Sequence, residues 1–329
     1  MGCLKVTHGY FFSMNLPLQV SDFNALKNCD KPLHLAIGVF DGVHLGHLSV
    51  IEPAVSSAKD NSGISAVLTF NPHPSRLFKG AEGTDLIMSL ETKTTRLHGL
   101  GVDIVIAKTF DKDFASISAD AFLSYLLNEL PTLKAIYVGQ NFRFGQGRVG
   151  TIQTLIKSGA ALGIDVWSID RIKQNGLPIS STRIREAMRA GQVDLVNGLL
   201  GYRYVSEGMV IKGAQLGTKI GFPTMNLLWS PECKPRYGVY AVRFLIEGSE
   251  HWKNGIANFG VRPTVTGGDS TEPLLEVHSL EDCQCNVDDK IRVEWVTFIR
   301  DEKQFDSVDA LKKQISEDCQ LVKGLLSDG

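Results

Sequence analysis

Up to about residue 185, short apolar runs alternate with amphipathic segments of helix length. Beyond Tyr204 that alternation stops, and strands follow one another through glycine-rich turns. This change of texture constrains the fold more than any single residue. In the first stretch, 34–40, 64–70, 103–107, 135–139 and 164–169 read as buried strands. Segments 46–59, 90–100, 119–130 and 151–159 read as the helices between them. Such alternation predicts an α/β domain with a mostly parallel sheet covered on both faces. Ligands then belong at the carboxyl ends of strands where the winding reverses.

The spacing predicts one helix over 185–200, ending at Gly201. After it, 204–212, 238–246, 252–259, 274–280 and 290–300 predict a small antiparallel β-barrel, which removes exposed strand edges. In the last of these, Ile291, Val293 and Trp295 alternate with Arg292 and Glu294, the period of a half-buried strand. Residues 309–326 form a terminal amphipathic helix. The expected organisation is an N-terminal domain over 1–185, a helical linker over 186–203 and a barrel domain over 204–329.

Composition narrows the class. Apolar residues make up 43 % of 329, and 34 Lys and Arg face 36 Asp and Glu, a net charge of -2 with no run of one sign. That balance argues against a nucleic-acid partner. No apolar stretch approaches the roughly 20 residues that span a bilayer. The start, MGCLKVTHGYFF, lacks the apolar centre of a secretory signal and has Val6 where myristoylation wants Ser or Thr. The six cysteines are scattered, with only Cys283 and Cys285 close, so they read as reduced thiols of a cytoplasmic protein. An oligomer is neither indicated nor excluded.

The sharpest motif is GVFDGVHLGH at 38–47, placed where the first strand ends and a helix begins. Gly38, Gly42 and Gly46 let backbone approach a ligand, and the helix N-terminus offers N–H groups to an anion. Phe40 and Asp41 lie within this cradle. His44 and His47, three apart, share a side of the first turn and can donate to developing negative charge. Zinc is an alternative reading, but the pair lacks a third ligand. The motif matches neither the dinucleotide fingerprint nor the P-loop. Later, Ser181, Thr182 and Arg185 lie at a helix start, where hydroxyls, N–H groups and a guanidinium can hold phosphate, although a plain N-cap uses the same residues.

With this segment the chain resembles the HxGH nucleotidyltransferases. TFNPHP (69–74), GQNFRFG (139–145) and ISSTRIR (179–185) follow in the order seen in bacterial bifunctional riboflavin kinase/FAD synthetases. GFPTMN (221–226), RPT (262–264) and LEVH (275–278) resemble that family's kinase module. The resemblance implies two ATP-dependent reactions: phosphorylation of riboflavin to FMN, and adenylylation of FMN to FAD with release of pyrophosphate. It implies Mg²⁺ as cofactor and riboflavin, FMN, FAD and ATP as ligands. His44, His47 and Arg185 would serve the adenylyl transfer, with Gly38, Phe40, Asp41, Gly46, Ser181 and Thr182 around ATP. Asn141 would contact flavin phosphate or nucleotide. In the kinase half, Gly213, Lys219, Thr224 and Asn226 would hold ATP, Thr224 and Asn226 also Mg²⁺, and Phe222 and Arg262 the flavin. Glu276 would be the general base, although a solvated glutamate on a strand's outer face is the plainer reading of its position. Asn71, Thr218 and Met225 depart from the usual acidic residue, Arg and Ala of the family.

Overall fold

The computed structural model describes residues 19–213, 216–229, 231–261 and 273–327. The strands are β1 Gln19–Val20, β2 Leu33–Ile37, β3 Ile64–Phe70, β4 Ile104–Lys108, β5 Leu133–Gly139, β6 Asp165–Ile169, β7 Lys173–Gln174, β8 Leu177–Pro178, β9 Val205–Ile211, β10 Met225–Leu228, β11 Gly238–Ile246, β12 Lys253–Val261, β13 Pro273–Ser279 and β14 Lys290–Arg300. The helices are α1 Leu45–Asp60, α2 Pro74–Lys79, α3 Leu90–Gly99, α4 Lys112–Ser116, α5 Ala119–Glu129, α6 Ile152–Leu162, α7 Ser181–Arg189, α8 Val193–Leu200, α9 Leu216–Ile220 and α10 Val308–Ser327.

Among the described residues two compact units interleave along the chain: 19–39 with 51–74 and 97–169, and 40–50 with 75–96 and those from 170 on. The first holds a six-stranded parallel sheet of order β1-β4-β3-β2-β5-β6. Leu33, Leu35, Ala36 and Ile37 in β2 and Val67 and Leu68 in β3 are almost fully buried, as expected of strands covered on both faces. Strands β2, β3 and β4 progress in one direction across the sheet, and β5 and β6 in the other. The winding therefore reverses between β2 and β5, where the chain leaves the sheet through Gly38 and Gly139.

The second unit is built on a closed antiparallel barrel of order β10-β13-β12-β11-β14-β9. Ile291, Val293 and Trp295 point inward, at most 1 % exposed, with Tyr240, Phe244, Phe259, Leu275 and Val277. Helix α10 packs on the outside through Cys319 and Val322 against Val239, Ala241 and Ile256. The continuous helix expected over 185–200 is instead two, α7 and α8. The chain turns between them at Gly191, whose φ of 73° is left-handed and ends the first helix. Strand β10 and hairpin β7–β8 were not anticipated. Both are shorter than the four-to-eight-residue or longer runs that periodicity resolves, or sit at that limit.

Candidate active sites

Two clusters of sequence-predicted residues lie in the second unit. The first begins where the loop after β2 turns sharply. Phe40 and Val43 take positive φ values of 49° and 36°, an arrangement held by contacts around them. Asp41 is 1 % exposed, and its carboxylate accepts the Ile87 N–H at 3.0 Å and the Arg185 Nη2–H at 2.7 Å. Arg185 also donates from Nε to the Asp85 carbonyl at 2.7 Å. One edge of the guanidinium is thus occupied within the protein, so a two-pronged grip on phosphate is not available from that edge. Ser181 donates its hydroxyl to the Asp41 carbonyl at 2.8 Å. The N-cap of α7 is Ser180, which accepts from Arg183 N–H, and Ser181 and Thr182 occupy the first turn. Thr182, Arg185 and Arg189 border a groove of ≈ 450 Å³ that Gly83, Asp85 and Glu186 also line.

His44 and His47 stack, ring centroids 3.5 Å apart and planes 16° from parallel. Phe40 meets His47 edge-on at 5.2 Å. The His47 backbone N–H donates to the His44 carbonyl at 2.7 Å and also meets His44 Nδ1 at 3.2 Å, a contact that the tautomer protonated on Nε2 accepts. His47 Nδ1 is buried without a hydrogen-bond partner among the described residues, a condition that points to a ligand or solvent contact. Burial lowers the His44 pKa to about 4 and holds His47 well below the ordinary histidine value. Both rings are therefore neutral near pH 7 and can stack without repulsion. Gly46 sits in the first turn of α1, where a Cβ would lie 3.1 Å from the His44 ring.

The second cluster lies on the outer face of the barrel. Asn226 is on β10 and 4 % exposed. Its register partner on β13 is Glu276, and the partner of Glu276 on β12 is Asn258. Three polar side chains thus form one rank across adjacent strands, while Leu275 and Val277 point inward as their alternation requires. Asn226 Nδ2 donates to the Thr224 carbonyl at 3.2 Å. His278 Nδ1 meets the Pro223 carbonyl at 2.8 Å, and Phe222 stands edge-on to the His278 ring at 5.5 Å. Gly213 permits the close packing here, since a Cβ would fall 2.3 Å from Asn226 Nδ2. Lys219 is exposed on α9. Met225, the departure from the family's Ala, points into the barrel core and not toward the rank.

Asn141 is in the first unit, exposed in the turn after β5, and Gly38 follows β2 there. Arg262 lies outside the described residues. Sequence reading missed Asn258 and the buried Lys93, 3 % exposed on α3. Asn258 stands among the apolar residues of a core strand, and Lys93 in LETKTTRL looks like any solvent-facing helix lysine. A further cavity of ≈ 360 Å³, bordered by Met88, Thr92, Ser206, Met209 and Lys290, contains none of the predicted site residues.

The FAD synthetase family model matches residues 26–183, and the riboflavin kinase family model matches residues 200–326. Over 284 residues the chain is 37 % identical to the bifunctional riboflavin kinase/FMN adenylyltransferase of Escherichia coli (strain K12), covering 86 % of this chain and 90 % of that one. The chain belongs to the bifunctional riboflavin kinase/FMN adenylyltransferase family. The Bacillus subtilis (strain 168) member is 35 % identical over 293 residues, 87 % of this chain and 90 % of its own. A crystal structure described as a macrolide-efflux protein from Streptococcus pneumoniae has TM-score 0.83 and 27 % identity, over 94 % of this chain and 99 % of that one. That likeness carries the fold to the family member in hand. Among the described residues, no helix is long and apolar enough to cross a membrane.

Proposed function

We infer that this family member converts riboflavin to FMN and FMN to FAD, using ATP as co-substrate in both steps. The carrying observation is that both residue sets occur together in one chain: the stacked His44–His47 pair beside Arg185, and the Asn226–Glu276–Asn258 rank on the barrel. The adenylyltransferase module is assigned to 1–185, the linker to 186–203 and the kinase to 204–329. A cytoplasmic location, where ATP is supplied and the free cysteines stay reduced, belongs to the same reading.

In adenylyl transfer a phosphate oxygen of FMN attacks the ATP α-phosphorus, and the bond to the bridging oxygen of pyrophosphate breaks. No covalent enzyme intermediate is required, so catalysis is alignment plus stabilisation of charge on the phosphoryl oxygens. His44, neutral with its proton on Nε2, donates one hydrogen bond to that charge. His47 lies against it, and Ser181, Thr182 and the open edge of Arg185 hold the departing phosphates. Gly38, Phe40 and Gly46 shape the backbone around ATP, Asp41 fixes Arg185, and Asn141 serves the flavin phosphate.

In the kinase step Glu276 accepts the proton of the ribityl hydroxyl as its oxygen attacks the γ-phosphorus and ADP leaves. Gly213, Lys219, Thr224 and Asn226 face ATP, and Phe222 and Arg262 the flavin. The donors here fit Mg²⁺, which takes hard oxygen ligands. Asn226 turns its Nδ2 onto the Thr224 carbonyl, and its Oδ1, the Thr224 hydroxyl and the carboxylate of its strand partner Glu276 are oxygen donors of the kind the ion takes. Among the described residues no cluster of three or more His, Cys, Asp or Glu forms a metal cage, which suits an ion carried in with nucleotide phosphates. When bound, Mg²⁺ neutralises phosphate charge.

Incubation of the purified protein with riboflavin, ATP and Mg²⁺, followed by chromatography, tests this. FMN and then FAD are expected; FMN without FAD removes the adenylyltransferase assignment, and no product removes both.

A further inference from the structure

Tyr202 has no role in the scheme above and lies in the linker, yet its hydroxyl donates to the carbonyl of the buried Gly42 at 2.7 Å. Gly42 stands between Phe40 and Val43, the two non-glycine residues of the 38–47 motif held at positive φ. The N–H of the same peptide unit, on Val43, donates to the Phe40 carbonyl at 3.2 Å. A peptide unit is planar, so a bond at each end fixes its tilt. That tilt sets the direction in which the chain enters His44 and α1.

The neighbours of Tyr202 press on the same loop. A Cβ on Gly42 would come 3.5 Å from Leu200 Cδ2, and a Cβ on Gly201 would come 2.4 Å from Leu45 Cδ2. Leu45 lies between His44 and Gly46, so Gly201 packs against the turn that carries the imidazole pair. Tyr204, 1 % exposed, donates its hydroxyl to the Ile87 carbonyl at 2.9 Å, and the Ile87 N–H donates to the Asp41 carboxylate. Residues 200–204 thus reach the loop at Gly42, at Leu45 and, through Ile87, at Asp41.

That segment is itself tied to the barrel. The Trp295 N–H on β14 donates to the Tyr204 carbonyl at 2.9 Å. Asn197 Nδ2 donates to the Trp295 carbonyl at 2.9 Å, and Asn197 Oδ1 accepts the Tyr204 N–H at 2.8 Å. The Arg96 guanidinium covers the Tyr202 ring, 3.6 Å from its centroid. Strained backbone of the kind seen at Phe40 and Val43 persists only where its surroundings over-determine it. Part of those surroundings comes from the chain that leads into the barrel.

We propose that Tyr202 is a positioning residue of the adenylyl-transfer site: through the Gly42 carbonyl it holds the loop that presents His44 and His47, so residues 1–185 do not complete this site by themselves. This rests on the function inferred above. Tyr202 touches protein and not substrate, and acts through the backbone that precedes His44.

The test is Tyr202→Phe in the full-length protein, which removes the hydroxyl and keeps the ring under Arg96. FMN adenylylation and riboflavin phosphorylation are assayed on one preparation, and backbone hydrogen exchange is followed by mass spectrometry. The proposal predicts that kcat for FMN adenylylation falls roughly tenfold, a size typical of a lost hydrogen bond that leaves a buried acceptor unpaired, with KM for ATP changed less. Riboflavin phosphorylation should keep the parent rate, and exchange should quicken in peptides covering 42–47 more than in the barrel strands. A purely structural tyrosine predicts a lower urea midpoint with the parent kcat in the folded enzyme. That parent kcat, or a fall shared equally by both activities, overturns the proposal. Failure of the parent protein to convert FMN to FAD would instead defeat the underlying assignment.

Discussion

Asn226 and Glu276 face each other across antiparallel strands β10 and β13, with Asn258 next in line on β12. Cross-strand neighbours of this kind have Cβ atoms about 5 Å apart. A carboxylate proposed as base, an amide proposed as phosphate and metal contact, and a second amide are therefore held by sheet register and not by a loop. Register resists thermal blurring, which suits a reaction whose acceleration comes from alignment.

Glu276→Gln keeps the size of the side chain and removes its basicity. FMN formation should fall by roughly a hundredfold or more, within the span assigned to a positioned general base. Conversion of supplied FMN to FAD should persist. Separate assays of the two half-reactions check this, and loss of both in a folded variant would contradict independent sites.

Gly213→Ala tests the close approach to Asn226. The added Cβ would lie 2.3 Å from Nδ2, so the amide must rotate or the loop must shift. The expected result is a raised KM for ATP in the kinase reaction, by about tenfold, a 1.4 kcal/mol effect. FAD formation from FMN should be unaffected.

Much of this architecture is legible in the sequence because the buried strands are long apolar runs. The run 64–70 and the alternation through Trp295 coincide with β3 and β14. Glu276 is placed on the outer face by period two alone. What escaped reading depends on tertiary context. Asn226 follows glycines and a proline that hide the strand period, and pairing to β9 and β13 draws it into the barrel. Arg185 reads from the sequence as a phosphate ligand, and only folding brings the Asp41 carboxylate and the Asp85 carbonyl to its Nε–Nη2 edge. Asn258 and Lys93 carry no local signal, since a polar residue on a strand or helix reads as solvent-facing until the covering elements are known.

Asp41→Ala should be among the most destabilising single changes in the second unit. It leaves the buried Arg185 without its carboxylate and the Ile87 N–H without its acceptor. Breaking such a pair costs about 3–5 kcal/mol. Urea denaturation should show that loss, with Asp41→Asn less affected because its amide oxygen still accepts from Ile87.

The imidazole pair gives a pH signature. His44 has a folded pKa of about 4 against an ordinary 6.5, through burial. Between these values the unfolded chain binds a proton that the folded protein does not, so stability is complete above pH 6.5 and falls as pH drops toward 4. His44 alone should lower stability by about 2 kcal/mol between pH 7 and pH 5, and His47 acts in the same direction. Urea midpoints at the two pH values, compared with His44→Gln, check the sign. A smaller pH effect in the variant is the expected outcome.

The most direct test follows the label in ATP. With riboflavin and ATP labelled at the γ-phosphate, the label should appear in both FMN and FAD; with ATP labelled at the α-phosphate, it should appear in FAD and never in FMN. Any flavin product that acquires neither label, or α-label found in FMN, would contradict two phosphoryl-group transfers of opposite bond choice within this one chain.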